Sequence, residues 1–277
     1  MSVIRKKEVI LDFIDKSSQK FNLTNILAKN NKIEEFLNVI CVISNPCNYK
    51  RRIQLAKIFI AHMEKTKDVR LYIVECIYPG LGQTEYQMTE AGNPNHLQLT
   101  AQTVLWTKEN MVNLAVQKLL PTDFKAFAFL DADLHFTNPS WAEETLKALN
   151  GGCDILQPFE NGYNLNKDNK IANINRMIYS ICFLWLKYCM NDYSTVDFSL
   201  VAKIFWHPGW GWAMTREAYI KMKGLFDFAI LGGGDTILAK PKSPNLSLTD
   251  IEKTLLSLSS MKFLMSISEY RRMVRLN

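Results

Sequence analysis

Disulfide frameworks, fibrous repeats and membrane spans all find little support in this chain. Six Cys in 277 residues, none in a Cys-x-x-Cys pair, are too few and too scattered to staple a fold. Most of Cys41, Cys47, Cys76, Cys153, Cys182 and Cys189 lie in apolar runs and read as small core residues, which predicts a soluble protein of a reducing, cytoplasmic compartment. With 12 Gly and 9 Pro the chain is neither collagen-like nor of low complexity. Its first segment, MSVIRKKEVILDFIDKSSQK, carries charge every few residues and so lacks the apolar core of a signal peptide. The longest uncharged helical stretch, Met177 to Leu186, is closed off by Arg176 and Lys187. That is far short of the roughly 20 apolar residues a bilayer span needs, so no transmembrane segment is expected. The sequons at Asn22 and Asn245 then read as chance matches.

What remains is an ordinary globular composition, 48% hydrophobic and 22% charged, long enough for one large domain with a buried core and a cleft. The net charge of +6 is not spread evenly: residues 1–70 hold 14 Lys or Arg against 7 Asp or Glu, and the rest is close to neutral. A general basic surface for nucleic acid is therefore not expected. Local phosphate binding, or docking of the N-terminal segment on an acidic surface, fits better.

Hydrophobic periodicity predicts short amphipathic helices within residues 1–36, an extension laid against the main domain. NVICVIS, ended by Asn45-Pro46, reads as a buried strand feeding a loop, and a helix follows over 51–66. Strands are expected at 70–78, 96–100, 126–130 and 154–157, and helices at 108–120 and 141–149. This order is the α/β pattern: a single Rossmann-like, mainly parallel sheet flanked by helices, spanning about 37–240. A strongly amphipathic helix is expected over 171–190, through Ile174, Met177, Ile178, Ile181, Trp185 and Tyr188, and another from Arg216 to Lys223. A short helical tail, 241–277, completes the chain.

Chemistry concentrates where strands end. AFAFL runs directly into Asp131-Ala132-Asp133, which sets two hard carboxylates at a sheet edge, suited to Mg²⁺ or Mn²⁺ and through it to a diphosphate. The alternative is a solvated turn. Asp235 follows three glycines in LGGGD and reads either as a general base delivered into a cleft or as the cap of the helix TILAK. Trp206, Trp210 and Trp212 would stack on sugar rings or fill core. Lys50, Arg51, Arg52 and Lys108 are candidate phosphate contacts or solvated charges, and His135 and His207 are candidate ligands or structural histidines.

Taken in order, NVICVISNPCNYKRR, VECIY, LWTKENMVNLAVQKL, AFAFLDADLHFTNPSW, HPGWGWAMTREAY and KGLFDFAILGGGD resemble nucleotide-sugar-dependent glycosyltransferases of the GT-A fold, of the family 2-like kind found in bacteria, phages and large DNA viruses. The resemblance implies a role for each position. Asp131 and Asp133 would hold Mn²⁺ or Mg²⁺ and the donor diphosphate, with Asp131 also near the ribose. Asn45, Arg52 and Glu75 would line the nucleotide pocket, UDP being the expected nucleotide, while Lys108 and Asn113 would face the donor. Asp235 would deprotonate a hydroxyl of a glycan or other acceptor for inverting transfer, and Trp210 and Trp212 would shape the sugar or acceptor site. No His follows His207, so the further metal ligand common in that fold would fall to His207 or to water. Two other expectations are a degenerate transferase that acts as a nucleotide-sugar-binding or scaffold module, and a sugar nucleotidyltransferase.

Overall fold

A computed structural model describes residues 35–151, 153–182, 206–228 and 232–239. The expected helices within 1–34 and the tail 241–277 lie outside these residues. Along the chain run β1 (Leu37–Ser44), α1 (Lys50–Lys65), β2 (Val69–Ile77), β3 (His96–Thr100), α2 (Lys108–Lys118), β4 (Ala126–Leu130), α3 (Trp141–Asn150) and β5 (Ile155–Leu156). They are followed by β6 (Asn161–Gly162), β7 (Ile178–Ser180), β8 (Trp206–His207), β9 (Gly211–Thr215), α4 (Arg216–Lys221) and α5 (Gly234–Ala239).

The protein is α/β, as expected. Six strands form the central sheet in the order β3-β2-β1-β4-β9-β5. Pairings β1–β2, β1–β4 and β2–β3 are parallel, whereas β9 runs antiparallel to both β4 and β5. The sheet is buried on both sides, which is why β1 and β4 are continuous apolar runs rather than alternating ones. On one face Ala56, Phe59 and Met63 of α1 and Trp141, Leu146 and Leu149 of α3 pack against Val39, Cys41, Ala128 and Leu130. On the other, Met111, Val112 and Ala115 of α2, Ala218 of α4 and Met222 at its C-cap pack against Ile40, Val74, Phe127, Phe129 and Trp212. Complete burial of a side chain such as Phe127 stabilises the fold by about 2–3 kcal/mol. The β9-to-α4 joint is set by Thr215, whose hydroxyl accepts the Ala218 N–H at 3.1 Å and caps the helix.

Two features differ from the sequence reading. A second, three-stranded sheet, β6-β7-β8, lies beside the main one. The helix expected over 171–190 does not begin where expected: residues 171–177 are not helical, Ile178–Ser180 is a strand, and Ile174 is 70% exposed rather than core-facing. Asparagine side chains account for this. Asn173 Oδ1 accepts the backbone N–H of Asn175 at 2.9 Å, a local turn that competes with helix, and buried Ile178 and Ser180 then follow strand alternation. Residues 183–190 of that expected helix lie outside the described residues. No helix among the described residues is long and apolar enough to cross a membrane.

Candidate active site at the carboxyl end of the sheet

From β1 the chain crosses outward to β2 and β3, then returns to β4 on β1's other side. Strand order reverses there, which opens a crevice beyond the carboxyl ends of β1 and β4. Asp131 is the first residue past β4, and its backbone N–H donates to Trp210 O at 2.8 Å, prolonging the β4–β9 ladder by one rung. Asp131 is thus held by the sheet itself. Asp133, two residues on, is more exposed.

Lys108, the first residue of α2, joins the two carboxylates that stood farthest apart in the sequence reading. Its Nζ lies 2.7 Å from Asp131 Oδ1 and 2.9 Å from Asp235 Oδ2. Burial opposes the charge on Lys108, but the two carboxylates together outweigh it and hold the ammonium well above its ordinary pKa. Asp235 is shifted up by burial, with Lys108 pulling back and Asp131 adding to the rise. Although the residue as a whole is exposed, the Asp133 carboxyl is likewise raised, by partial desolvation and by the charge of Asp131, and Arg52 opposes this. Arg52 therefore sits in the field of the DxD segment, while its Nη1 donates to Ser44 O at 2.9 Å.

The loop that carries Asp235 is packed on the start of α2. The Trp106 ring lies against Gly232, and its indole N–H donates to Glu109 Oε2 at 2.9 Å. The other Glu109 oxygen is buried without a hydrogen-bond partner and faces Gly234, where any added Cβ would collide with it. Opposite, a methyl group on Gly209 would lie 2.9 Å from Asp235 Oδ2, so a glycine there lets the carboxylate in. Asp235 is in the first turn of α5, and its carboxylate pairs with Lys108.

Several predicted site residues are committed to holding the scaffold. Glu75 is 4% exposed and its carboxylate accepts the N–H groups of Gln87, Met88 and Thr89 and the Thr89 hydroxyl, at 2.8–2.9 Å. It anchors the loop after β2, and its lone pairs are spent on that loop rather than left for a nucleotide. Asn45 exchanges hydrogen bonds with the backbone of Tyr49 at 3.0 and 3.1 Å, shaping the entry to α1. Both still line a hollow of about 180 Å³ with Gln83, Thr84 and Gln87. Asn113, expected to face a donor, has its amide engaged within the chain. Its amide grips Leu225 through N–H and C=O, accepts from Tyr219 OH and donates to Asp227, at 2.9–3.2 Å.

Trp212 is 1% exposed core, and its indole donates to Pro208 O at 2.8 Å, so it props the 208–210 turn instead of presenting a face. Trp210 is only half-buried. It adopts a left-handed φ of 70°, stacks on His207 at 4.9 Å between ring centroids, and covers Gly162. His207 Nδ1 accepts the Gly209 N–H at 2.9 Å, which places the ring proton of the neutral form on Nε2 and leaves no free lone pair for a metal. His135 stacks on His62 instead, at 4.4 Å.

Gln157, unremarked in the sequence, organises this side of the site. Its amide donates to His207 O and Gly209 O and accepts from Ile181 and Cys182, tying the 207–209 turn to the helical residues just past β7. Glu109 and Trp106 were likewise unremarked, although they flank Lys108 and its neighbour Thr107 in the run WTKEN. No protein-family model matches this chain, and comparison with curated proteins finds no match either.

Proposed function

We propose that the protein is a metal-dependent glycosyltransferase of the GT-A kind, moving a sugar from a UDP-linked donor to an acceptor hydroxyl with inversion. One observation carries this reading: Asp131 at the end of β4 and Asp235 on a distant glycine loop meet on a single Lys108 ammonium at the topological switch point. A displacement at an anomeric carbon needs a cation to hold the leaving diphosphate and a base to take the acceptor proton, and in this reading Asp131 would hold the cation and Asp235 would be the base.

The donor set fits a divalent cation. Among the described residues no group of three or more His, Cys, Asp or Glu side chains is arranged to hold a metal. Magnesium, however, is commonly held by one or two carboxylates plus phosphate oxygens and water, and Asp131 and Asp133 offer that number of carboxylates. When bound, the ion would neutralise charge on the leaving diphosphate. The chain's own residues do the rest. Asp235, whose carboxyl is raised above the ordinary Asp value by burial, accepts the acceptor's hydroxyl proton. The hydroxyl oxygen then bonds the anomeric carbon from the face opposite the departing diphosphate, which leaves with the electron pair of the broken C–O bond. Lys108 sits within reach of both events and offsets the negative charge gathered between them. In this reading the hollow lined by Asn45, Gln83 and Gln87 would take the nucleotide, and the part of Trp210 not covered by His207 and Gly162 would meet the sugar.

A module that binds nucleotide sugars without turnover is the second reading, favoured by the way Lys108 seals both carboxylates. The test is turnover of a panel of UDP-sugars with Mn²⁺ by the full chain and by Asp133→Ala. Metal-dependent UDP release that collapses in the variant is expected, and unchanged turnover in Asp133→Ala refutes the metal role. Binding of UDP and Mn²⁺ without turnover leaves the second reading, and pyrophosphate release in place of UDP identifies a nucleotidyltransferase.

A further inference from the structure

Asp235 has a second neighbour besides Lys108. It forms part of the wall of a cavity of about 700 Å³ between α2, α4 and the segment 224–228. That volume falls within the roughly 300–1,000 Å³ of small-molecule sites and exceeds the hollow beside Glu75 several-fold. Much of its wall is apolar: Leu114 on α2, Phe129 on β4, Phe226 and Leu238. Phe228 and Ile220 also line it, and they are 77% and 55% exposed, leaving apolar surface at the same place.

The charged groups on the wall define what it would admit. Glu109, Asp227 and Asp235 stand against Lys223. Asp227 Oδ2 is engaged by the amides of Asn110 and Asn113 at 3.1 and 3.2 Å, and Glu109 by Trp106. The acidic excess disfavours an anionic ligand, because a phosphate or carboxylate here would meet like charge at low dielectric. Carboxylates accept hydrogen bonds, so a neutral hydroxyl suits them.

We propose that this cavity is an acceptor site for a neutral, hydroxyl-bearing molecule with an aromatic or aliphatic body, its hydroxyl at Asp235 and its apolar part against Leu114 and Phe226. The chemistry rests on the transferase reading; binding does not. In the transfer, the acceptor O–H proton passes to Asp235, the oxygen bonds the anomeric carbon, and the diphosphate leaves with the electron pair of the bond that breaks.

The experiment uses the full chain and 2-naphthol as probe, with methyl glucoside as a polar comparison, first without any nucleotide sugar. Ligand-observed NMR is expected to give a dissociation constant on the order of 0.1–1 mM for 2-naphthol, with no saturable binding of methyl glucoside. Leu114→Trp, which fills the cavity, is expected to weaken naphthol binding about tenfold, the loss of well over 1 kcal/mol of apolar contact. Leu114→Phe serves if the larger change prevents folding. Absence of naphthol binding, equal binding by the folded variants, or preferential binding of methyl glucoside overturns the site. Naphthol binding that the variants abolish, without sugar transfer from any UDP-sugar and Mn²⁺, upholds the site and counts against the transferase reading instead.

Discussion

Replacing Lys108 by Met tests the electrostatic core of the site, because it keeps an apolar stem of similar length and deletes only the ammonium between Asp131 and Asp235. Removing one partner of a buried ion pair costs about 3–5 kcal/mol when the remaining charge is left uncompensated. Here the side chains of Asp131 and Asp235 are 31% and 18% exposed, so solvent screens part of the penalty. A loss of about 2–3 kcal/mol at pH 7.5 is expected, and at about 2–4 °C per kcal/mol for a chain of this size the melting temperature falls by about 5–10 °C. The pH dependence has a definite sign. Without the ammonium, burial and the charge of Asp131 raise the folded-state Asp235 carboxyl still further above its unfolded value. The folded variant then binds more protons than the unfolded chain, so its stability falls as pH rises through the unfolded pKa and is recovered as pH drops below about 4. Thermal unfolding followed by circular dichroism at pH 4 and 7.5, on wild type, Lys108→Met, Asp235→Asn and the double variant, measures both effects. The double variant is expected to lose less than the sum of the singles by about 1–2 kcal/mol, because a single carboxylate remains to be stranded. A Lys108→Met melting temperature within about 1 °C of wild type at pH 7.5, or strict additivity in the cycle, refutes the bridge.

Glu75→Gln is expected to destabilise the protein by about 3 kcal/mol, since the new amide turns N–H donors toward backbone N–H groups that Glu75 now accepts. Denaturant unfolding measures the loss, and faster hydrogen exchange at Gln87, Met88 and Thr89 locates it; a midpoint equal to wild type refutes the anchoring role. Glu109→Gln works in the opposite sense. Burial raises the Glu109 carboxyl, so the wild type loses stability as pH climbs from the ordinary Glu value toward the raised one. The variant keeps an acceptor for Trp106 and is expected to escape that loss, gaining on wild type between pH 4.5 and 7.5 in thermal melts. A difference independent of pH refutes it.

The fold was legible wherever an element's own pattern decides its packing. β1 and β4 are continuous apolar runs because both faces of the sheet are covered, and α3 carries its buried side chains at Trp141, Ala142, Thr145, Leu146 and Leu149, one helical stripe. Residues 171–177 were misread because hydrophobic periodicity does not register the asparagine side chains that compete for the backbone there. The small sheet β6-β7-β8 was missed for a related reason: Asn161–Gly162 and Trp206–His207 are two-residue strands, too short to show alternation.

For the site, the limit lies in where each side chain's partners are. Asp131, Lys108 and Asp235 stood out because they occupy the end of a strand, the first position of a helix and the end of a glycine run, and those boundaries survive in the fold. Whether a polar residue at such a place stays available depends on hydrogen bonds formed across the chain. The four groups that take up Glu75 lie 12–14 residues away, and those that take up Asn113 lie 106–114 residues away. Lys108 shows what such distances decide. As a sequence feature it is one of 33 basic residues. Folded, it is gripped by two carboxylates, and under the proposed function an incoming diphosphate would compete with Asp131 and Asp235 for it. Under the proposed function, that competition ties the two halves of the reaction together, since a donor that draws the ammonium to its phosphates also releases Asp235 to act on the acceptor.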